Sequence, residues 1–314
     1  MKKSIQLLLI LAIVFFVTDR LICMCLKEID KKVFTGQSVG KVNHFFSLKD
    51  SVNMLIFGSS RANHHIDNTV LDITSFNMGA DGTRIGYSAA LISTLKKKGQ
   101  ILLVHIDHEI LYDSEYDGSD MLSLMNMTQR NADITTFMYK FFPEEIYISK
   151  TFNCYIYNGK VLGILKNYVD PNYDYNRYSG YDPLFPNLEQ RNIFNKMVKS
   201  DSLKLEQDDL AAVSDLEVNP LINKFIGEII EHCKTNNSRL VFFTSPKLRK
   251  IHNNVRNKTK QYFESKNISY YDYSEFFKEY NADYWKDFTH MSAQGATVFT
   301  KALKEKIFED HEIN

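Results

Sequence analysis

The longest apolar stretch opens the chain. Residues 7–17 are all apolar, Thr18-Asp19-Arg20 interrupts, and Leu21 to Leu26 resumes. As one helix, residues 5–26 reach about 33 Å at 1.5 Å per residue, enough to cross a bilayer. Asp19 and Arg20 then lie toward one end, where polar side chains reach the interface at modest cost. Residues 27–50 are mixed and polar, with Gly36 and Gly40, and read as a tether. Beyond it, short apolar runs at 52–57, 71–76, 101–106, 239–244 and 268–271 predict five strands. Helical spacing follows at 85–98, closed by Gly99, then at 221–233, 257–266 and 292–308.

Strands alternating with helices predict an α/β domain over residues 51–314, a three-layer α/β/α sandwich on a five-stranded parallel sheet. Ligands of such sheets bind at the carboxyl ends of the strands. One stretch, about 113–215, breaks the alternation. It is rich in Tyr, Phe and Asn and includes the cluster Tyr173 to Tyr181. It reads as a partly helical insertion over the carboxyl edge, not as a second domain.

Composition adjusts this picture at the ends. Lys plus Arg and Asp plus Glu number 38 each, so the chain lacks the basic excess of a nucleic-acid binder. Four cysteines exclude a disulfide scaffold. Residues 1–26 read as an uncleaved membrane anchor. A signal peptide would need a small-x-small cleavage site, which is missing after Val17, and a buried core helix is the third alternative. Lys2 and Lys3 favour a cytoplasmic N-terminus, which puts the rest of the chain outside the cytoplasmic membrane of a bacterial-type cell. There Cys154 and Cys233 either pair or stay free.

Three segments carry candidate chemistry. Gly58-Ser59-Ser60-Arg61 puts a serine on a tight turn from the first strand into a helix, beside backbone N–H groups able to stabilise negative charge. Asn77-Met-Gly79-Ala-Asp-Gly82 follows the second strand, its glycines permitting close approach and positive φ. Asp287-Phe-Thr-His290 precedes the last helix; a carboxylate three residues before a histidine can orient the imidazole as a general base. All three fall at one sheet edge.

This ordered set resembles the SGNH (GDSL-like) hydrolase superfamily over about residues 52–308, the insertion excluded. The resemblance implies a flavodoxin-like fold with Ser60 as nucleophile and Asp287 and His290 completing a triad. It implies the Ser60 and Gly82 N–H groups as the oxyanion hole. The family's third block, Gly-x-Asn-Asp, is replaced by His105-Ile-Asp107-His108-Glu109, so one oxyanion donor is missing. Losing such a donor costs roughly 2.7–4 kcal/mol of transition-state stabilisation. With its anchor, the Gly-Ser-Ser-Arg variant resembles the membrane-tethered branch that accompanies acylation of cell-surface glycans. The resemblance therefore implies a serine esterase or O-acyltransferase acting on an acetyl-type ester of an envelope polysaccharide. Its partners would be the glycan or acyl donor and a membrane acyltransferase, with no cofactor. A catalytically silent glycan-binding or scaffold subunit is the alternative, and a flavodoxin-like binding domain the third.

Asn77, Gly79, Arg61, Arg84, Asp107 and His108 are expected around the pocket. A metal site at His105, Asp107 and His108 is disfavoured, because neighbouring strand positions point to opposite faces. His64-His65 reads as an exposed turn. Tyr173 to Tyr181 reads as packing of the insertion, with sugar stacking as the alternative. Gly58-x-Ser60-x-Ala62 brushes against the α/β-hydrolase nucleophile elbow, but only a tether precedes it, where that fold has earlier strands.

Overall fold

The computed structural model describes residues 2–200 and 216–312; the last fifteen residues of the expected insertion, 201–215, lie outside them. The described chain forms two compact units. One comprises the N-terminal residues to Ser47 with Met121–Tyr173, the other Leu48–Asp120 with the chain from Asp174 onward. The insertion divides: its residues 121–173 group with the N-terminal segment.

In the first unit, helix α1 covers Lys2–Asp30, four residues beyond the expected anchor. It is the one described helix long and apolar enough to cross a membrane. Its apolar side chains are exposed from Ile5 to Val17, which excludes a core helix. Asp19, Cys23, Leu26 and Asp30 are buried, a stripe at helical spacing. The tether is not extended: a π-helical turn at Gly36–Gly40 leads into α2 (Lys41–Leu48). Asn43 draws the chain back by donating to the Asp30 and Val33 carbonyls at 2.7 and 2.9 Å. The Asp30 carbonyl, at the end of α1, also accepts the Val33 N–H at 3.0 Å. The fully buried Asp30 carboxylate accepts from Asn43, Asn126, Arg130 and Tyr157. Helices α6 (Ala132–Phe141), α7 (Pro143–Thr151) and α8 (Val161–Val169), with a 3₁₀ turn at Asn153–Tyr157, complete the unit.

The second unit is α/β. Strands β1 (Met54–Phe57), β2 (Ser75–Asn77), β3 (Ile101–His105), β4 (Arg239–Thr244) and β5 (Ser269–Asp272) form one parallel sheet in the order β2-β1-β3-β4-β5. The five apolar runs do become the five strands, but β2 is shorter than its run. Asp72 turns at φ 53°, so Leu71 packs into the core as part of a turn. Helix α4 (Ile85–Ile92) stops six residues before the expected end. Thr94 and Leu95 bond three residues back, and Asp50 takes the Lys96 and Lys97 N–H groups at 3.0 and 3.2 Å, so the helical ladder does not resume.

Met54, Ile56, Leu103, Val241 and Phe243 share one sheet face with Ala62 of α3 (Ser60–His65) and with Phe299, Leu303 and Ile307 of α13 (Ala293–Glu312). On the other face Phe242 stacks on Phe263 of α12 (Asn253–Ser265), ring centroids 4.7 Å apart. There α4 packs against α11 (Pro220–Thr235), and α5 (His108–Leu111), α9 (Tyr175–Tyr178) and α10 (Leu188–Lys199) are the remaining described α-helices of this unit. The chain crosses one way from β1 to β2 and the other way to β3. The switch point, where open parallel sheets bind ligands, therefore lies between β1 and β3.

All four cysteines are free thiols; Cys233 is buried in α11 and Cys154 is half-buried in the first unit.

Candidate active site

β1 ends at Gly58, whose φ is 138° and whose added Cβ would lie 2.7 Å from the His105 Cβ. Only glycine fits there, and the turn puts Ser59 at the N-cap of α3 and Ser60 at its first position. The Ser60 hydroxyl donates to His290 Nε2 at 2.9 Å. His290 Nδ1 in turn donates to the Asp287 carboxylate at 3.1 Å.

The turn at 287–290 is built by the aspartate that serves it. Asp287 Oδ1 accepts the Thr289 and His290 backbone N–H groups, both at 2.9 Å, closing an Asx-type turn. Behind it, buried Trp285 pairs with buried Met291. Burial works against a charge on Asp287. The hydrogen bonds from His290 and the Thr289 N–H outweigh it and hold the carboxyl well below the usual carboxylate range. The carboxylate fixes the proton on His290 Nδ1 and leaves Nε2 free to accept from Ser60.

These groups open onto a cleft of about 410 Å³ at the switch point, lined also by Gly82, Arg84, Asp107, Glu109 and Lys247. The volume falls within the range of small-molecule sites. The Ser60 and Gly82 N–H groups have no acceptor among the described residues. Gly82 has a φ of 73°, the left-handed conformation that glycine adopts without strain.

Arg61, Arg84 and Asp107 line the cleft. The buried Arg61 guanidinium pairs with Asp107 and donates to the Ser245 and Pro246 carbonyls. An acceptor paired with a cation thus stands in the block where the family has its asparagine donor. Arg84 pairs with Asp113 at 2.7 Å.

Asn77, Gly79 and His108 do not line the cleft, which corrects that expectation. Asn77 is fully buried: its amide donates to the Ala62 and Ile66 carbonyls at 2.8 and 3.1 Å and its oxygen accepts the Gly79 N–H. It ties β2 to α3, and Gly79 permits the approach. His108 turns to Thr259 and Asp272, while His105 bonds to Ser245. The suggested His105, Asp107 and His108 metal set thus points three ways. In the tyrosine cluster, Tyr181 is buried and its edge meets Tyr178, and neither lines the cleft.

His64 and His65 overturn the exposed-turn expectation: both are buried behind His290. The Met291 N–H donates to His65 Nε2 at 3.1 Å. His65 Nδ1 therefore carries the proton and donates to Ser245 Oγ at 2.8 Å. Ser245 in turn donates to His105 Nε2 at 3.1 Å. One backbone amide orders the whole chain of tautomers. Burial, reinforced by the Arg61 charge, pushes the His65 and His105 imidazoles well below their ordinary value, whereas at His64 burial is outweighed by Asp81, which holds it above. Between the ordinary histidine value near 6.5 and those lowered values, the unfolded chain binds protons that the native one does not. Stability therefore falls as pH drops below about 6.5. A melting temperature that decreases steadily from pH 6.5 to 5.0 is expected; an unchanged or rising one would contradict buried, neutral histidines.

Comparison with known protein families and with curated proteins finds no match for this chain.

Proposed function

We propose that the chain is a membrane-anchored serine esterase or O-acyltransferase of the SGNH type, with that family's three-layer α/β/α arrangement. Its substrate is an acyl ester, preferably acetyl, of a cell-envelope polysaccharide. The observation that carries this reading is the 2.9 Å contact of the Ser60 hydroxyl with His290 Nε2, backed by Asp287, at a cleft with two unengaged N–H groups.

In this reading Ser60 Oγ attacks the acyl carbonyl as His290 takes its proton. Asp287 stabilises the imidazolium that forms. The negative oxygen of the tetrahedral intermediate receives the Ser60 and Gly82 N–H groups. His290 returns the proton to the departing alcohol, leaving an acyl ester on Ser60. Water or a bound sugar hydroxyl then attacks that ester by the same route in reverse. Asp107, a carboxylate paired with Arg61, has no proton to donate to the intermediate.

The anchor reading is supported by the use of α1 beyond its apolar part. Asp19 and Asp30 are partners of residues 126–157 within the first unit. Cleavage after Val17 would also remove Phe15, which meets Phe152 of the first unit edge to face. The orientation, with the sheet-bearing unit outside the cytoplasmic membrane, follows from Lys2 and Lys3.

An activated acetyl ester tests the activity. The purified full-length chain is expected to hydrolyse it, and Ser60→Ala to be reduced to background. Equal rates for the two would contradict the assignment.

A further inference from the structure

The break between α7 and the 3₁₀ turn at Asn153–Tyr157 sits beside the apolar helix in an unusual way. Phe152 meets Phe15 edge to face, with centroids 6.2 Å apart. The N–H groups of Asn153 and Cys154 donate to the Asp19 carboxylate at 2.7 and 2.9 Å. The Thr151 carbonyl accepts from the Arg20 guanidinium at 3.3 Å, and the Asn153 carbonyl accepts from the Cys23 thiol at 3.4 Å. Four backbone groups freed by the break are thus taken up by side chains of α1. Around this satisfied backbone the outward side chains are large and apolar: Tyr147, Ile148 and Phe152 are 54%, 41% and 44% exposed.

Helix geometry sets the depth. A hydrocarbon core about 30 Å thick needs about 20 helical residues. Counted from Ile5, they end at Met24. The exposure of Leu21, Ile22 and Met24 agrees, at 54%, 50% and 58%. Ending the span at Thr18 would leave it about 9 Å short. Asp19 and its partners therefore fall inside the apolar layer, roughly 7 Å from its edge. Irregular backbone survives at such depth only where protein satisfies its polar groups, and α1 does so here.

We propose that the segment from Tyr147 to Cys154 enters the outer part of the bilayer beside α1, so that the first unit is held in lipid by two elements. The occupant of its exposed apolar face is lipid acyl chain. The proposal rests on the anchor reading of α1. It also explains Asp19 and Arg20: they serve as hydrogen-bonding partners for the second element. Lys150, whose ammonium lies 5.5 Å from the Tyr147 ring centroid, is long enough to reach the headgroups. Helix α8 is equally apolar outside, with Leu162 83% and Val169 80% exposed. Its Asn167, however, is fastened at Thr35, five residues past the end of α1 at Asp30, which itself lies about 9 Å beyond Met24 by helical rise. That keeps it clear of the acyl chains.

The test uses the full-length chain in nanodiscs containing only lipid, part of it phosphatidylcholine with a photoactivatable diazirine in its acyl chain. Cross-linked peptides are mapped by mass spectrometry. Labelling is expected at 5–24 and at 147–154, with none at 161–169. Labelling at 5–24 alone overturns the second element while sparing the anchor. No labelling at 5–24 overturns the anchor reading itself. Labelling at 161–169 overturns the depth assignment. Phe152→Glu, a change at an exposed side chain, is expected to abolish labelling at 147–154 and leave that at 5–24 unchanged; persistent labelling would contradict the proposal.

Discussion

Asp287→Asn is expected to lower kcat/KM on an acyl ester by about 10⁴-fold with little loss of stability. The asparagine oxygen can still accept the Thr289 and His290 N–H groups, so the turn at 287–290 survives. Its amide group, however, is a donor where Asp287 Oδ2 accepts from His290 Nδ1. The imidazole must then accept at Nδ1 and carry its proton on Nε2. A protonated Nε2 cannot take the Ser60 proton. Kinetics paired with thermal unfolding separate this effect from misfolding, and activity within tenfold of wild type at unchanged stability would contradict a triad.

The second large effect falls on stability. Arg61→Leu is expected to destabilise the second unit by about 3–5 kcal/mol, the cost of removing one partner from a buried ion pair. Leucine fills much of the volume but leaves Asp107 and the Ser245 and Pro246 carbonyls without their donor. Trp285 is the chain's one tryptophan, buried directly behind the 287–290 turn, and its fluorescence follows unfolding of this unit. The Arg61→Leu, Asp107→Asn double variant removes the unpaired charge and should recover part of the loss. A wild-type denaturation midpoint for Arg61→Leu would mean that the pair is not structural.

The parts of this arrangement that were legible in the sequence are local. The inner strands read as apolar runs because parallel strands are buried on both faces, while the edge strand β5 is only half-buried. Ser60 and the Asp287, His290 pair read from turns that end strands or precede a helix. The limits of β2 and α4 were not legible, because they are set by the Asp72 turn and by the Asp50 carboxylate 46 residues before Lys96. His64 and His65 escaped for the same reason. The partners of His65 are Ser245 and Met291, 180 and 226 residues away, and no local pattern announces them. Asn77 belonged to a recognised motif, yet its amide is consumed in joining β2 to α3. The polar interruption Thr18-Asp19-Arg20 looked like the untidy end of an anchor. Its meaning lies in backbone groups more than 130 residues further on.

In the proposed reaction Ser60 carries the acyl group between donor and acceptor. The direct measurement is rapid quenching of the full-length chain with an activated acetyl ester, followed by intact mass and peptide mapping. An added acetyl group is expected on the peptide containing Ser60, absent from Ser60→Ala and slow to discharge in Asp287→Asn. Turnover by wild type together with an acyl adduct on another residue, or an adduct undiminished in Ser60→Ala, would contradict this role of Ser60.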